Sequence, residues 1–139
     1  MRRIFFRGKS VLDNNWVYGN YVCINEEHRL YGSFIDNDKN IVKDYIVVVK
    51  DTVGQYTGIR DKRMAMIFEG DIIKNTFGSG YDVEEIVKYD RGGFSPFAVN
   101  CWEGTPYVRW EDGIDVCESV EIIGNIYDTK RNIKNGYFY

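Results

Sequence analysis

The sequence predicts a mainly β protein built from many short antiparallel strands. Three observations predict it. Fourteen glycines and only two prolines punctuate the 139 residues at short intervals, as strands joined by turns require. Aromatic residues make up 16% of the chain, with 11 Tyr, 8 Phe and 3 Trp, and flat rings pack well on a pleated surface. No long stretch combines helical periodicity with good caps.

Taken in order, residues Arg3 to Arg7 read as a first strand and Asp13-Asn14-Asn15 as a turn. Trp16 to Ile24 is a second strand, with Trp16, Tyr18 and Asn20 on one face and Val17, Gly19 and Tyr21 on the other. A third strand is expected over Leu30 to Ile35. Asp36 to Asn40 is polar turn material, and the β-branched run Tyr45 to Lys50 follows as a buried strand. Val53 to Ile59 gives a short strand and a turn. Glu69-Gly70-Asp71 is a further turn leading into a strand over Ile72 to Phe77, and Gly78-Ser79-Gly80 ends that strand. Glu84 to Tyr89 suits a strand, Arg91-Gly92-Gly93 a turn, and Phe94 to Cys101 extended chain. Val120 to Tyr127 is the last strand, bent at Gly124. The best helix candidate is Trp110 to Glu118, short and interrupted by Gly113. The segment Thr129 to Tyr139 carries three aromatics, Tyr137, Phe138 and Tyr139, that favour docking over a loose end.

Length and composition bound the rest. A chain of this size fits one domain over residues 1–139, or two packed subdomains of about 1–60 and 61–139, and buries roughly two-thirds of its unfolded surface. Eighteen Lys and Arg against 21 Asp and Glu leave a net charge of −3, which suits solubility and lacks the basic footprint of a nucleic-acid binder. Cys23, Cys101 and Cys117 are too few and too widely spaced for a disulfide framework, and no Cys-x-x-Cys pair is present. Free thiols in a reducing cytoplasm are expected. The apolar run Tyr45 to Val49, which no other exceeds, is far short of a membrane span, and the apolar stretch after Arg2 and Arg3 is too brief for a signal peptide.

The segment Val53-Gly54-Gln55-Tyr56-Thr57-Gly58-Ile59, then Asp61-Lys62, then Ile67-Phe68-Glu69-Gly70-Asp71-Ile72-Ile73 resembles the signature of the YopX family. Phe6-Arg7-Gly8-Lys9 with Trp16-Val17-Tyr18-Gly19 is similar to the family's opening, and Val120 to Asp128 to its ending. The resemblance therefore spans nearly the whole chain. It implies a phage or prophage origin, hence the host cytoplasm, and a mainly β fold: an N-terminal β-rich (α+β) part and a C-terminal SH3-like barrel. It implies no catalytic residues. One departure is local. Family members usually carry Asn-Gly where this chain has Arg63-Met64, and Asn-Gly suits a tight turn with positive φ.

Candidate chemistry is sparse. Glu69 and Asp71 would share a face of an extended chain and could bind a cation or share acid/base work. The bland reading is a glycine turn with Asp71 bonding nearby backbone N–H groups. Gln55, Tyr56 and Thr57 offer an amide, a phenol and a hydroxyl to a ligand, or to buried backbone partners. His28 stands alone in a charged stretch that reads as an exposed turn. Arg3, Arg7 and Lys9 could contact phosphates beside stacking rings such as Trp16 or Tyr18, or protect an edge strand by charge. The expectation is a non-enzymatic accessory protein that binds a protein partner or itself. No catalytic residue, cofactor or metal is expected, and no membrane association. Nucleic-acid binding is the alternative, and a metal-dependent enzyme using Glu69 and Asp71 the second alternative.

Overall fold

A computed structural model of the chain describes residues 4–35, 38–76, 80, 82–90, 92–97, 108–111, 113–128, 133–134 and 137–138. The described residues are mainly strand, as the sequence predicts. Their one helical segment is a 3-10 turn, Lys50–Thr52. The helical component expected of the N-terminal part reduces to that turn. Two compact units divide the chain, Met1–Tyr56 and Thr57–Tyr139.

In the first unit, β1 (Phe6–Lys9), β2 (Trp16–Ile24), β3 (Glu27–Ile35) and β4 (Ile41–Val47) form antiparallel neighbours in chain order. The turn before β2 forms as predicted. The Asn15 N–H donates to Asp13 Oδ1 at 3.0 Å, and Asn14 takes φ 61°. Between β2 and β3 both turn residues are left-handed, Asn25 at φ 50° and Glu26 at 65°, the geometry that matches the twist of a two-residue hairpin. That turn sets the register Cys23↔His28 and Asn20↔Tyr31. β5 (Gly54–Arg60) opens against the other side of β1, with Phe6 opposite Gln55 and Arg7 opposite Gly54. β1 is therefore an interior strand and not the charged edge its basic residues suggest. Among the described residues of this unit, Leu30, Val48, Phe5 and Tyr56 are the buried apolar ones. The Thr52 hydroxyl ties the 3-10 turn to the sheet by accepting the Lys9 N–H at 2.9 Å and donating to the Val49 carbonyl at 2.6 Å.

In the second unit the end of β5 pairs parallel with β12 (Ile114–Val116), which forms a hairpin with β11 (Arg109–Glu111). The helix expected over Trp110 to Glu118 is thus a pair of strands. Gly113 turns at φ 80°, and period two wins because Val116 is buried while Asp115 is exposed. β6 (Met66–Phe68) pairs with β5, and a turn at residues 69–70 leads into β7 (Asp71–Thr76). β7 is flanked by β8 (Asp82–Ile86) and β13 (Val120–Asn125), with a register shift between Ile122 and Gly124 where the bend was expected. The strand expected over Glu84 to Tyr89 is broken at Val87; its second part, β9 (Lys88–Asp90), pairs with β10 (Gly93–Ser95). β14 (Ile133–Lys134) and β15 (Tyr137–Phe138) pair antiparallel. Ile67, Ile73, Val87, Cys117 and Val120 make the core, with Ile59, Phe97, Val108 and Ile122 packed against it. A fully buried Val or Ile contributes roughly 1.5–3 kcal/mol, so this cluster supplies much of the unit's stability. Among the described residues no sheet closes into a barrel, and no helix is long and apolar enough to cross a membrane.

Glu85 lies opposite Ile73, on the side of the sheet that builds the core. Burial pushes its carboxyl above the usual 4.5. The folded chain therefore holds the Glu85 proton more tightly than the unfolded chain does. The stability this supplies is present at low pH and is lost as pH rises through the raised value. At neutral pH the fold carries a half-buried carboxylate at a cost. Glu85→Gln is expected to stabilise the protein at pH 7 by a few tenths of a kcal/mol up to about 1, since the group remains partly solvated. Urea denaturation at neutral pH and again at about pH 4, where the gain should vanish, checks the sign.

Candidate functional site

The residues singled out around the central signature fall in both units. Gln55 and Tyr56 belong to the first, Thr57, Glu69 and Asp71 to the second. Gln55 is half-buried at the start of β5. Tyr56 is buried, its ring 5.1 Å from that of Phe5 and its N–H bonded to the Phe5 carbonyl at 2.8 Å. The Thr57 hydroxyl donates to the Ile67 carbonyl at 2.8 Å and accepts the Ile59 N–H at 3.1 Å. Asp71 is buried, and its Oδ2 accepts the Phe68 N–H at 2.8 Å across the turn. Thr57 and Asp71 therefore both hold β6 in place, through adjacent residues. Glu69 is half-buried at the first turn position.

Gly70 completes that turn at φ 88°, a conformation that costs other residues about 1–2 kcal/mol. Its N–H reaches the Val87 carbonyl at 2.8 Å, and its own carbonyl accepts the Ile126 N–H at 2.9 Å. A Cβ here would stand 2.8 Å from Tyr127 Cε2. Among the described residues, no three His, Cys, Asp or Glu side chains gather as a metal site would need.

The basic strip divides. Arg3 lies outside the described residues. Arg7 and Lys9 are buried in β1, the Arg7 guanidinium 4.5 Å and the Lys9 ammonium 5.3 Å from the centre of the Trp16 ring. The pairing Lys9↔Trp16 and Arg7↔Tyr18 places these cations beside the rings. Such contacts are worth about 0.5–2 kcal/mol each.

The residue whose role sequence reasoning missed is Asp61. It is 2% exposed, and its carboxylate accepts three backbone N–H groups: Arg63 and Ala65 on Oδ1, both at 2.9 Å, and Ile122 on Oδ2 at 3.0 Å. It closes the 61–65 loop and bolts it to β13. Glu121 reinforces the bolt with Lys62 at 3.2 Å and Arg63 at 2.7 Å. The Lys62 hydrogen bond first, then the positive charges of Arg63, Lys62 and Lys74, pull its carboxyl below its usual value. The signal was the carboxylate of an Asp-Lys pair ahead of a turn, but its longest-range partner is 61 residues away.

The same loop resolves the Asn-Gly departure. Met64 adopts φ 68°, so the left-handed turn expected of an Asn-Gly pair forms here with a side chain. Met64→Gly is expected to stabilise the protein. It relieves about 1–2 kcal/mol of left-handed strain against roughly 0.5–1 of added chain entropy, and Met64 is exposed, so little packing is lost. The net gain of about 0.5–1 kcal/mol should appear as a higher urea midpoint at unchanged slope.

Among the described residues, two exposed tyrosines, Tyr18 and Tyr45, share one face of the first unit's sheet. Register places Tyr18, Tyr31 and Tyr45 there with Val22, Ile24 and Arg29. The Arg29 guanidinium lies 4.2 Å over the Tyr45 ring, donates to the Tyr31 hydroxyl at 3.0 Å and bonds Glu27 at 2.6 Å. Those two hydrogen bonds, Tyr31 first, strengthen its hold on its proton. Tyr18, Val22, Ile24 and Tyr45 are each exposed by more than a third. Register puts Arg7, Lys9 and Trp16 on this face as well, the two cations buried beside the Trp16 ring, while Arg29 is held between two tyrosines and a carboxylate.

Comparison with curated proteins finds no match. The model of the family described as "YopX protein" matches residues 5–134, and the chain belongs to that family.

Proposed function

We propose that this protein is a non-enzymatic interaction module that binds protein, a second copy of itself included, through the aromatic face of its first unit. The observation that carries the reading is the exposure of Tyr18, Val22, Ile24 and Tyr45 on the face that also holds Tyr31 and Arg29. Tyr and Arg are enriched where protein surfaces meet, and a preorganised arginine loses little freedom on binding. The catalytic alternative has less to rest on, because Asp71 is buried and spends an oxygen on the Phe68 N–H. Nucleic-acid binding keeps one favourable feature, tyrosines on a sheet that could stack bases. Against it, Arg7 and Lys9 are buried beside Trp16. An SH3-like arrangement of the second unit is part of the same proposal. The bulged β13–β7–β8 sheet supports it, since a bulge of this kind supplies the coil such a barrel needs.

Sedimentation velocity from micromolar to submillimolar concentration tests the reading. Concentration-dependent association that Val22→Asp and Tyr45→Ala abolish is the expected result. A wild-type chain that stays monomeric throughout, yet binds a single-stranded oligonucleotide with steep salt dependence, would transfer the face to nucleic acid.

A further inference from the structure

The β2–β3 hairpin carries a second set of side chains that the interaction reading leaves unused. They stand on the opposite face of the sheet from Tyr45 and Arg29. Cys23 and His28 are direct cross-strand partners, one pair removed from the turn at residues 25 and 26. Cys23 is exposed, and its Sγ lies 4.0 Å from His28 Nε2. On the far side of the imidazole, Tyr21 Oη lies 2.5 Å from Nδ1. The Tyr21 and His28 rings are parallel to within 4° at 5.8 Å, and Phe6 packs on Tyr21 at 5.4 Å. A nucleophile, a base in reach of it and a third group orienting the base make up the arrangement that activates cysteines. Apo sites often hold such bonds loosely.

We propose that Cys23, His28 and Tyr21 form a nucleophilic thiol site that takes small soft carbon electrophiles. Sγ attacks the electrophilic carbon, the new S–C bond forms as the bond to the leaving group breaks, and the leaving group departs with its electron pair. The thiol proton passes to His28 Nε2. Nδ1 keeps its own proton and donates it in a hydrogen bond to the Tyr21 oxygen, which steadies the imidazolium. Burial, and then the neighbouring Cys23, keep the Tyr21 phenol above its usual value and so neutral at pH 7. The charged groups on this end of the hairpin are Glu26 in the turn and Glu27, the latter bonded to Arg29. From the neighbouring strands, Phe6 packs on Tyr21 on the β1 side, and the Val48 N–H bonds the His28 carbonyl on the β4 side.

Iodoacetamide on the full chain, with alkylation followed cysteine by cysteine by peptide mass spectrometry between about pH 6 and pH 9, tests the site. Cys117, whose buried thiol is pushed up by desolvation, is the internal control. At neutral pH, Cys23 in the wild type should react about tenfold faster than in His28→Ala, whose rate should simply climb with pH as for an ordinary thiol. Tyr21→Phe keeps the ring stack and should give an intermediate pH profile. His28→Gln serves if the alanine variant does not keep the wild-type circular dichroism spectrum. A folded His28 variant that alkylates Cys23 at the wild-type rate and with the wild-type pH profile overturns the proposal.

Discussion

Asp61→Ala is expected to destabilise the protein by about 3–5 kcal/mol, a large part of the 5–15 that holds a typical domain together. Three partly buried backbone N–H groups lose one shared acceptor, and a donor left without a partner costs about 1–3 kcal/mol where water does not reach it. The anchored Lys62 N–H, which reaches the Val120 carbonyl at 3.0 Å, should loosen with it. Asp61→Asn isolates the acceptor chemistry from the shape. An amide has one accepting oxygen, so either the Arg63 and Ala65 pair or Ile122 must face an NH2 group. A loss of about 2 kcal/mol is expected, smaller than for alanine. Urea denaturation of the three proteins side by side checks the order. An asparagine variant as stable as the wild type would show that one of the two carboxylate oxygens contributes nothing.

Gly19→Ala is expected to cost about 2–4 kcal/mol and to act on the first unit. A Cβ at this position would collide with the Tyr31 carbonyl oxygen, in the strand paired with β2. That oxygen is backbone, so no rotamer change relieves the contact. Either β2 and β3 separate locally or the pairing around Asn20↔Tyr31 shifts. The control is Gly124→Ala in β13, where the nearest atom to an added Cβ is Ile72 Cδ1 at 3.8 Å, an ordinary contact. Hydrogen exchange should show faster opening of β2 and β3 amides in the Gly19 variant and little change in the Gly124 variant. Equal melting of both variants with the wild type would mean that β2 and β3 do not approach as closely as described.

Much of the fold was legible because strands and turns advertise themselves locally. Trp16–Ile24 was readable to the residue, and Asp13-Asn14-Asn15 and Glu69-Gly70-Asp71 were readable as turns. The misreadings came where two local signals competed. Trp110 to Glu118 had helical length, but Gly113 and the alternation of Ile114, Asp115 and Val116 made it a hairpin. Arg7 and Lys9 looked like a charged edge, because nothing in their neighbourhood announces that β5, almost fifty residues on, covers the other side of β1. His28 read as part of a turn, yet the left-handed Asn25 and Glu26 end the turn earlier and place it in β3 beside Tyr21.

The amino-acid order alone determined that this chain is β, where it turns, and which family signature it carries, since these follow from side-chain alternation and from residues that tolerate unusual φ. Tertiary structure decided what each polar residue is for. Whether Asp61 and Asp71 serve backbone amides, whether Arg7 lies beside a tryptophan, and whether Cys23 meets an imidazole all depend on which strand comes to lie beside which. Pairing of strands far apart in the chain is driven by burial summed over the whole unit, and no single segment records it.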